Sequence, residues 1–240
     1  MTRFALVLPT AAVLIVGLAG CGDDLTLPTP TPPSLRLDLL TGDGQIGTVG
    51  QTLENPVVVI VRNTDSVPIP NRQVVFAVTG NGAGAFDPAS AMTDAQGKAS
   101  THWALGTVPG PYTGEATVVA QGDSVPAPVA FSATANAGSP DSVRAEGFTI
   151  QSGRRGEPVE HPLVVIVVDR YGNRVPNVEV TWTAELGNGE LSPPSGTVTD
   201  ADGRSVVTWT LGNRIGIQQV TAEVQDLIGS PVTFSATVGF

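Results

Sequence analysis

One pattern is written twice in this chain, and it constrains the fold more tightly than any single residue does. Pro56-Val57-Val58-Val59-Ile60-Val61 returns as Pro162-Leu163-Val164-Val165-Ile166-Val167, 106 residues later. Pro70-Asn71 returns as Pro176-Asn177 at the same offset, and Val74 and Phe76 return as Val180 and Trp182. Thr93-Asp94-Ala95-Gln96-Gly97 answers to Thr199-Asp200-Ala201-Asp202-Gly203, and Trp103-Ala104-Leu105-Gly106 to Trp209-Thr210-Leu211-Gly212. Pro128–Thr134 and Pro231–Thr237 close the two copies at an offset of 103. The missing three residues are expected in a loop around Thr107–Thr113, because loops tolerate deletion. A repeat of about 100 residues is a whole domain, not one unit of a solenoid.

Each copy reads as strands. Val74-Phe76-Val78, Val178-Val180-Trp182 and Val207-Trp209-Leu211 alternate with polar neighbours, which gives each strand one buried face. Val57–Val61 and Leu163–Val168 are unbroken β-branched runs, expected of central strands covered on both faces. No stretch after residue 21 carries a capped 3.6-residue stripe. Glycine (28 residues) and proline (20) punctuate the apolar runs as turns do. Ala95-Gln96-Gly97 and Ala201-Asp202-Gly203 place their glycine where a hairpin needs positive φ. The expectation is an all-β chain of two tandem Greek-key sandwiches with about seven strands each.

Residues 1–20 have the layout of a secretory signal. Arg3 supplies the charge, Phe4–Leu18 the apolar run, and Leu18-Ala19-Gly20-Cys21 the small-residue cut site. The apolar run is too short for a transmembrane helix and holds Pro9 and Thr10. Cys21 is the only cysteine, so it has no disulfide partner within the chain. Residues 21–33 contain alternating Thr and Pro, which favours an extended polyproline spacer. The domain expectation is therefore signal 1–20, linker 21–33, first domain 34–136 and second domain 138–240.

Leu18-Ala19-Gly20-Cys21 resembles the lipobox of bacterial lipoproteins. The resemblance implies cleavage before Cys21 and acylation of its sulfur, hence export and a lipid anchor in the membrane. Gly22, not aspartate, follows the cysteine, which points to the outer membrane. The Thr199–Ser205 run, the run from Pro176 to Trp182 and the closing strand resemble the bacterial immunoglobulin-like domain of group 1, found in invasin and intimin stalks. That resemblance covers residues 34–136 and 138–240 and implies immunoglobulin-like sandwiches in a structural or adhesion role. It names no ligand; a cell-surface protein or a glycan, bound through loops at the distal end, is the alternative it leaves open. Two departures from that family are expected: a lipid anchor in place of the invasin-type β-barrel, and no lectin-like head after residue 240.

Several residues look like chemistry and are weighed on their context. Gly42-Asp43-Gly44-Gln45-Ile46-Gly47 has dinucleotide spacing, but residues 48–55 lead into a strand where that site needs a helix. Asp169, Asp200 and Asp202 could suggest calcium, yet Asp200-Ala201-Asp202-Gly203 is too short for a calcium loop and Gln96 replaces Asp202 in the first copy. Turn residues are the expectation, with calcium at the domain junction left open. His102 should face solvent, His161 has Asn55 as its counterpart, and no Gly-x-Ser-x-Gly elbow occurs. Trp103, Trp182 and Trp209 sit in period-two strands, so core is expected over a sugar-stacking platform. A net charge of -10 with no basic cluster argues against nucleic acid. The chain is thus expected to be no enzyme, with no catalytic, cofactor or metal residues; its one modified residue is Cys21.

Overall fold

The structure is a computed structural model and describes residues 34–80, 84–122 and 124–239. The expected signal with Leu18, Ala19 and Gly20, the expected lipidation site Cys21 and the expected spacer lie outside the described residues. Pro33–Phe240 forms one compact unit. Every regular element among the described residues is a strand.

The first sandwich runs β1 (Leu35–Thr41), β2 (Gln45–Thr48), β3 (Val57–Asn63), β4 (Gln73–Val78), β5 (Ala85–Asp87), β6 (Ser90–Met92), β7 (Lys98–Ala104), β8 (Gly110–Val118) and β9 (Val129–Asn136). The second repeats it as β10 (Pro140–Ala145), β11 (Ile150–Arg154), β12 (Leu163–Asp169), β13 (Glu179–Ala184), β14 (Glu190–Ser192), β15 (Thr197–Val198), β16 (Arg204–Thr210), β17 (Gly216–Glu223) and β18 (Val232–Gly239). A four-stranded sheet, β1-β3-β7-β5, faces a five-stranded one, β2-β9-β8-β4-β6, and the second copy has the same orders. Nine strands replace the expected seven or so because the leading strand breaks in two. Its halves join opposite sheets, and β2 and β11 pair parallel with the last strands β9 and β18. β5, β6, β14 and β15 are two or three residues long, too short to show a period in sequence.

Strand pairing relocates the three-residue deletion. Phe76 pairs with Ala116 and Trp182 with Ala222, so the offset of 106 still holds beyond Thr113. Ala116 then pairs with Val129, and Ala222 with Val232. The deletion lies in the β8–β9 and β17–β18 hairpin loops, not around Thr107–Thr113. Ladder register is fixed by which face is buried, so a length change is absorbed where the chain leaves the ladder.

The cores follow the alternation. In β7 Ala99, Thr101 and Trp103 are buried and Lys98, Ser100 and His102 exposed; β16 does the same around Ser205, Val207 and Trp209. Trp103 gathers Phe86, Phe131 and Tyr112 with ring centroids 5.0, 5.5 and 6.4 Å away. β12 is buried along its whole length, as its apolar run implied. Its inward residues Leu163, Val165 and Val167 belong to the core. Outward Ile166 pairs with Arg144 on one side and Arg204 on the other. Glu146 binds Arg174 at 3.0 Å and Arg204 at 2.7 Å. The Arg174 hydrogen bond, opposed by desolvation and aided by Arg204, holds the Glu146 carboxyl below its ordinary range.

The two cores differ in one co-ordinated way. The Trp182 indole N–H reaches Thr197 Oγ1 at 3.1 Å and Ser205 Oγ at 2.9 Å, and those hydroxyls bond each other. At the same positions the first copy has Phe76, Ala91 and Ala99. A buried indole N–H is stabilised by an acceptor and a phenyl ring has no such group, so the hydroxyls suit the tryptophan, although Trp103 Nε1 in the first copy is buried without a partner.

The repeated Pro-Asn and Thr-Asp-Ala runs are two halves of one turn assembly. Asn71 and Asn177 sit at φ 58° and 62° and donate their N–H to Thr93 and Thr199 carbonyls at 2.9 Å. Buried Thr93 donates its hydroxyl to the Ile69 carbonyl and accepts from Arg72 N; Thr199 does so with Val175 and Val178. Asp94 Oδ1 accepts from the amides of Gln96 and Lys98, and Asp200 Oδ1 from those of Asp202 and Arg204. Gly97 and Gly203 take the expected positive φ, 72° and 66°, but each turn joins strands of opposite sheets, β6 to β7 and β15 to β16, so it is not the expected hairpin.

Candidate functional site: the junction of the two sandwiches

The first sandwich ends at Asn136 and the second begins at Pro140, leaving Ala137, Gly138 and Ser139 between them. The turn after β12 closes on this segment. Asp169, which ends β12, is buried. Its Oδ1 accepts from the amides of Tyr171 (2.8 Å) and Asn173 (2.9 Å), folding the turn on itself. Its Oδ2 accepts from the linker amide of Gly138 (2.8 Å) and from Asn173 Nδ2 (2.9 Å). That same Asn173 Nδ2 donates to the Thr107 carbonyl of the first sandwich at 2.8 Å. One carboxylate thereby ties a turn, the linker and, through Asn173, the neighbouring domain.

Tyr171 completes the contact. Gly50, at φ 70°, leaves open the space that its Cβ would fill, and the Tyr171 phenol occupies it. Arg170 donates to the Tyr171 hydroxyl and lies 4.6 Å over its ring. Beside them a cleft of about 490 Å³ is lined by Thr48, Gln51, Ser139, Asp141, Arg170 and neighbouring residues. Its polar lining and shallow form suit water and contact between domains more than a small apolar ligand.

The first copy shows what the junction adds. Asn63 stands where Asp169 does, and its Oδ1 accepts only the two turn amides, of Asp65 and Val67. Asp65 and Val67 stand where Tyr171 and Asn173 do. In sequence Asp169 was weighed only for calcium, and Tyr171 and Asn173 were overlooked because the run from Asp169 to Asn173 reads as an ordinary turn. The departure of Asp169, Tyr171 and Asn173 from their counterparts was the available signal.

Burial raises the Asp169 pKa, but the hydrogen bonds from Asn173, Gly138 and Tyr171 together outweigh it and leave the carboxyl below its ordinary value. A depressed folded pKa means that the group's stabilisation is present above the unfolded value near about 3.9 and is lost as pH falls through the folded one. Asp169→Asn keeps an oxygen for the turn and turns an NH2 group toward Gly138 N–H. The variant should lose about 1–3 kcal/mol, read as a lower denaturant midpoint, and should flatten the acid limb of the stability curve. An unchanged midpoint and acid limb would remove the clamp from the account.

The other sequence candidates fall elsewhere. Gly42–Gly47 enters strand β2, not a helix. Asp43 Oδ1 accepts from the Ser132 amide and hydroxyl and from Gly44 N, which hold its carboxyl below the ordinary range against some desolvation. Asp200 and Asp202 lie in the β15–β16 turn with Asp169 spent on amides, and no three His, Cys, Asp or Glu side chains converge among the described residues. His102 is exposed on β7, while His161 stacks on Phe148 at 4.4 Å. Trp103, Trp182 and Trp209 are core, as the strand period implied.

Residues 160–237 match the family model of the bacterial Ig-like domain (group 1). The second sandwich is a group 1 bacterial Ig-like domain. The first repeats the strand order of this group 1 domain sheet for sheet. Among solved structures, the Escherichia coli adhesin FdeC is similar at 16% identity over 86% of this chain and 64% of that one, TM-score 0.48. Yersinia pseudotuberculosis InvD gives 18% identity over 82% and 57%, TM-score 0.49, and the D0-D1 domain of intimin 23% over 84% and 94%, TM-score 0.30. The chain thus spans less than two thirds of the FdeC and InvD chains. No curated protein matches it.

Proposed function

We propose that this chain is an exported, lipid-anchored envelope protein that acts by position and not by reaction. In this reading Cys21 carries the lipid, residues 21–33 hold the domains off the membrane, and the paired sandwiches serve as a stalk or adhesion module, with the outer membrane as the anchoring surface. The observation that carries it is the junction. A three-residue linker whose amide is bonded by the next domain suits a part that must keep its two halves in order. The adhesin and invasin class of the similar structures agrees with that role.

The anchor has a direct test. Cys21→Ala should shift the protein from the detergent phase to the aqueous phase on Triton X-114 partitioning, because several acyl chains each contribute about 0.8 kcal/mol per buried CH2. Retention of the variant in the detergent phase would remove the lipid from the account.

A second reading, a glycan- or protein-binding module, draws on the end of the second sandwich away from the junction. There a cleft of about 450 Å³ lies among Gly156, Gly187 and Arg214, and Leu186 stands fully exposed. Loss of ligand on Leu186→Ser and Arg214→Ala, with the fold intact, would favour it.

A further inference from the structure

The two outer faces of each sandwich differ in kind. The four-stranded sheets carry most of the strand charge: Arg36, Asp38, Arg62, Asp87 and Lys98 in the first copy, Asp141, Arg144, Asp169, Glu190 and Arg204 in the second. The five-stranded sheets carry most of the exposed apolar side chains that lie within strands. These are Ile46 (73% exposed), Val75 (37%) and Met92 (54%) in the first copy, and Ile150 (75%), Ile217 (61%) and Val198 (58%) in the second. The four-stranded sheets expose only Leu40 (41%) and Val206 (42%). A single exposed isoleucine is ordinary; a repeated division of charge to one face and apolar groups to the other is a pattern.

In the second copy the five-stranded face is neutral across its middle. Outward from β11, β18, β17 and β13 come Ile150, Ser152, Ser235, Thr237, Ile217, Gln219, Thr221 and Thr183. Its strand charges sit at opposite ends. Arg154 lies at the end marked by Gly239, and Glu179 and Glu223 lie at the end marked by Val232. Among bodies of net charge -10, contact through carboxylate-bearing faces is opposed by repulsion. The neutral middle of this face escapes that penalty. If two copies meet on it reversed end to end, Arg154 of each reaches the glutamates of the other, and the neutral middles coincide.

We infer that the five-stranded face of the second sandwich is a self-pairing surface, on which two copies of this chain join about a twofold axis. Twofold pairing sets the same patch against itself, which a face with separated opposite charges satisfies twice. Five strands about 4.8 Å apart and about 26 Å long offer on the order of 500 Å² per copy. The total, on the order of 1,000 Å², lies at the weak end of specific interfaces, so the dimer forms at high local concentration.

Residues 33–240, which contain both cores, are the material for the test. Sedimentation velocity from about 1 µM to about 500 µM, the span that brackets weak interfaces, should show monomers passing to dimers. Ile150→Glu with Ile217→Glu should weaken the dimer at least about tenfold, while Val206→Glu on the opposite face leaves it unchanged. Arg154→Glu alone and Glu179→Arg with Glu223→Arg alone should each weaken it, and an equimolar mixture of those two should regain it. Circular-dichroism melting checks that each variant is folded. A wild type that stays monomeric, including one that instead binds immobilised oligosaccharide through this face, overturns the inference. So do dimers that survive the glutamates, or a mixture that fails to recover.

Discussion

Trp209→Ala should destabilise the second sandwich by about 3–5 kcal/mol, the usual loss when a large core aromatic is cut back to a methyl group. Trp209 is fully buried, and its Nε1 donates to the Asn188 carbonyl at 2.7 Å. Removing it opens a cavity among Leu163, Val207 and Phe234 and leaves that carbonyl without its donor. Urea denaturation should resolve two transitions, the second sandwich moving to lower denaturant and the first holding its midpoint. A variant that melts with the wild type would place Trp209 at the surface and undo the core described above.

Gly203→Val should have a comparable effect through the backbone. At φ 66° a β-branched residue is strained, costing of the order of 1–2 kcal/mol before any contact is counted. A Cβ there would also lie 2.9 Å from both the Val167 carbonyl oxygen and the Val175 amide nitrogen. Neither atom can swing aside, because Val167 O accepts from Val175 N in the same turn assembly. Asp202→Ala, one residue earlier, should be nearly silent with or without calcium, since Asp202 gives the turn its amide while Asp200 supplies the carboxylate. A melting temperature that falls little for Gly203→Val, or that rises with calcium only when Asp202 is present, would count against a purely structural turn.

The all-β fold was legible because alternation survives in the long strands. Ala99, Thr101 and Trp103, and Val180 and Trp182, point inward as their spacing requires. The split of the leading strand was not legible. Residues 42–47 carry glycines that look like a ligand loop, and only the parallel pairing with β9 shows that they let the chain cross between sheets. The place of the three-residue deletion was missed for a related reason: sequence matching loses the register where side chains are polar, whereas the ladder keeps it. The junction was hidden because its bonds are long-range. Asp169 and Gly138 stand 31 residues apart, and Asn173 and Thr107 stand 66 apart.

The unlike interiors of the two copies bear on how such a chain folds without error. Neighbouring domains of similar sequence can trade strands during synthesis, and the traded form is a trap. Here β13 brings an indole that must find two hydroxyls, and the first copy offers only Ala91 and Ala99 in their place. A hybrid sandwich built from β13 and the first copy's strands would bury an indole N–H with no acceptor. The reverse hybrid would bury two hydroxyls against a phenyl ring. Each unpaired group would count against its hybrid by about 1–3 kcal/mol, a bias toward every strand's own partner.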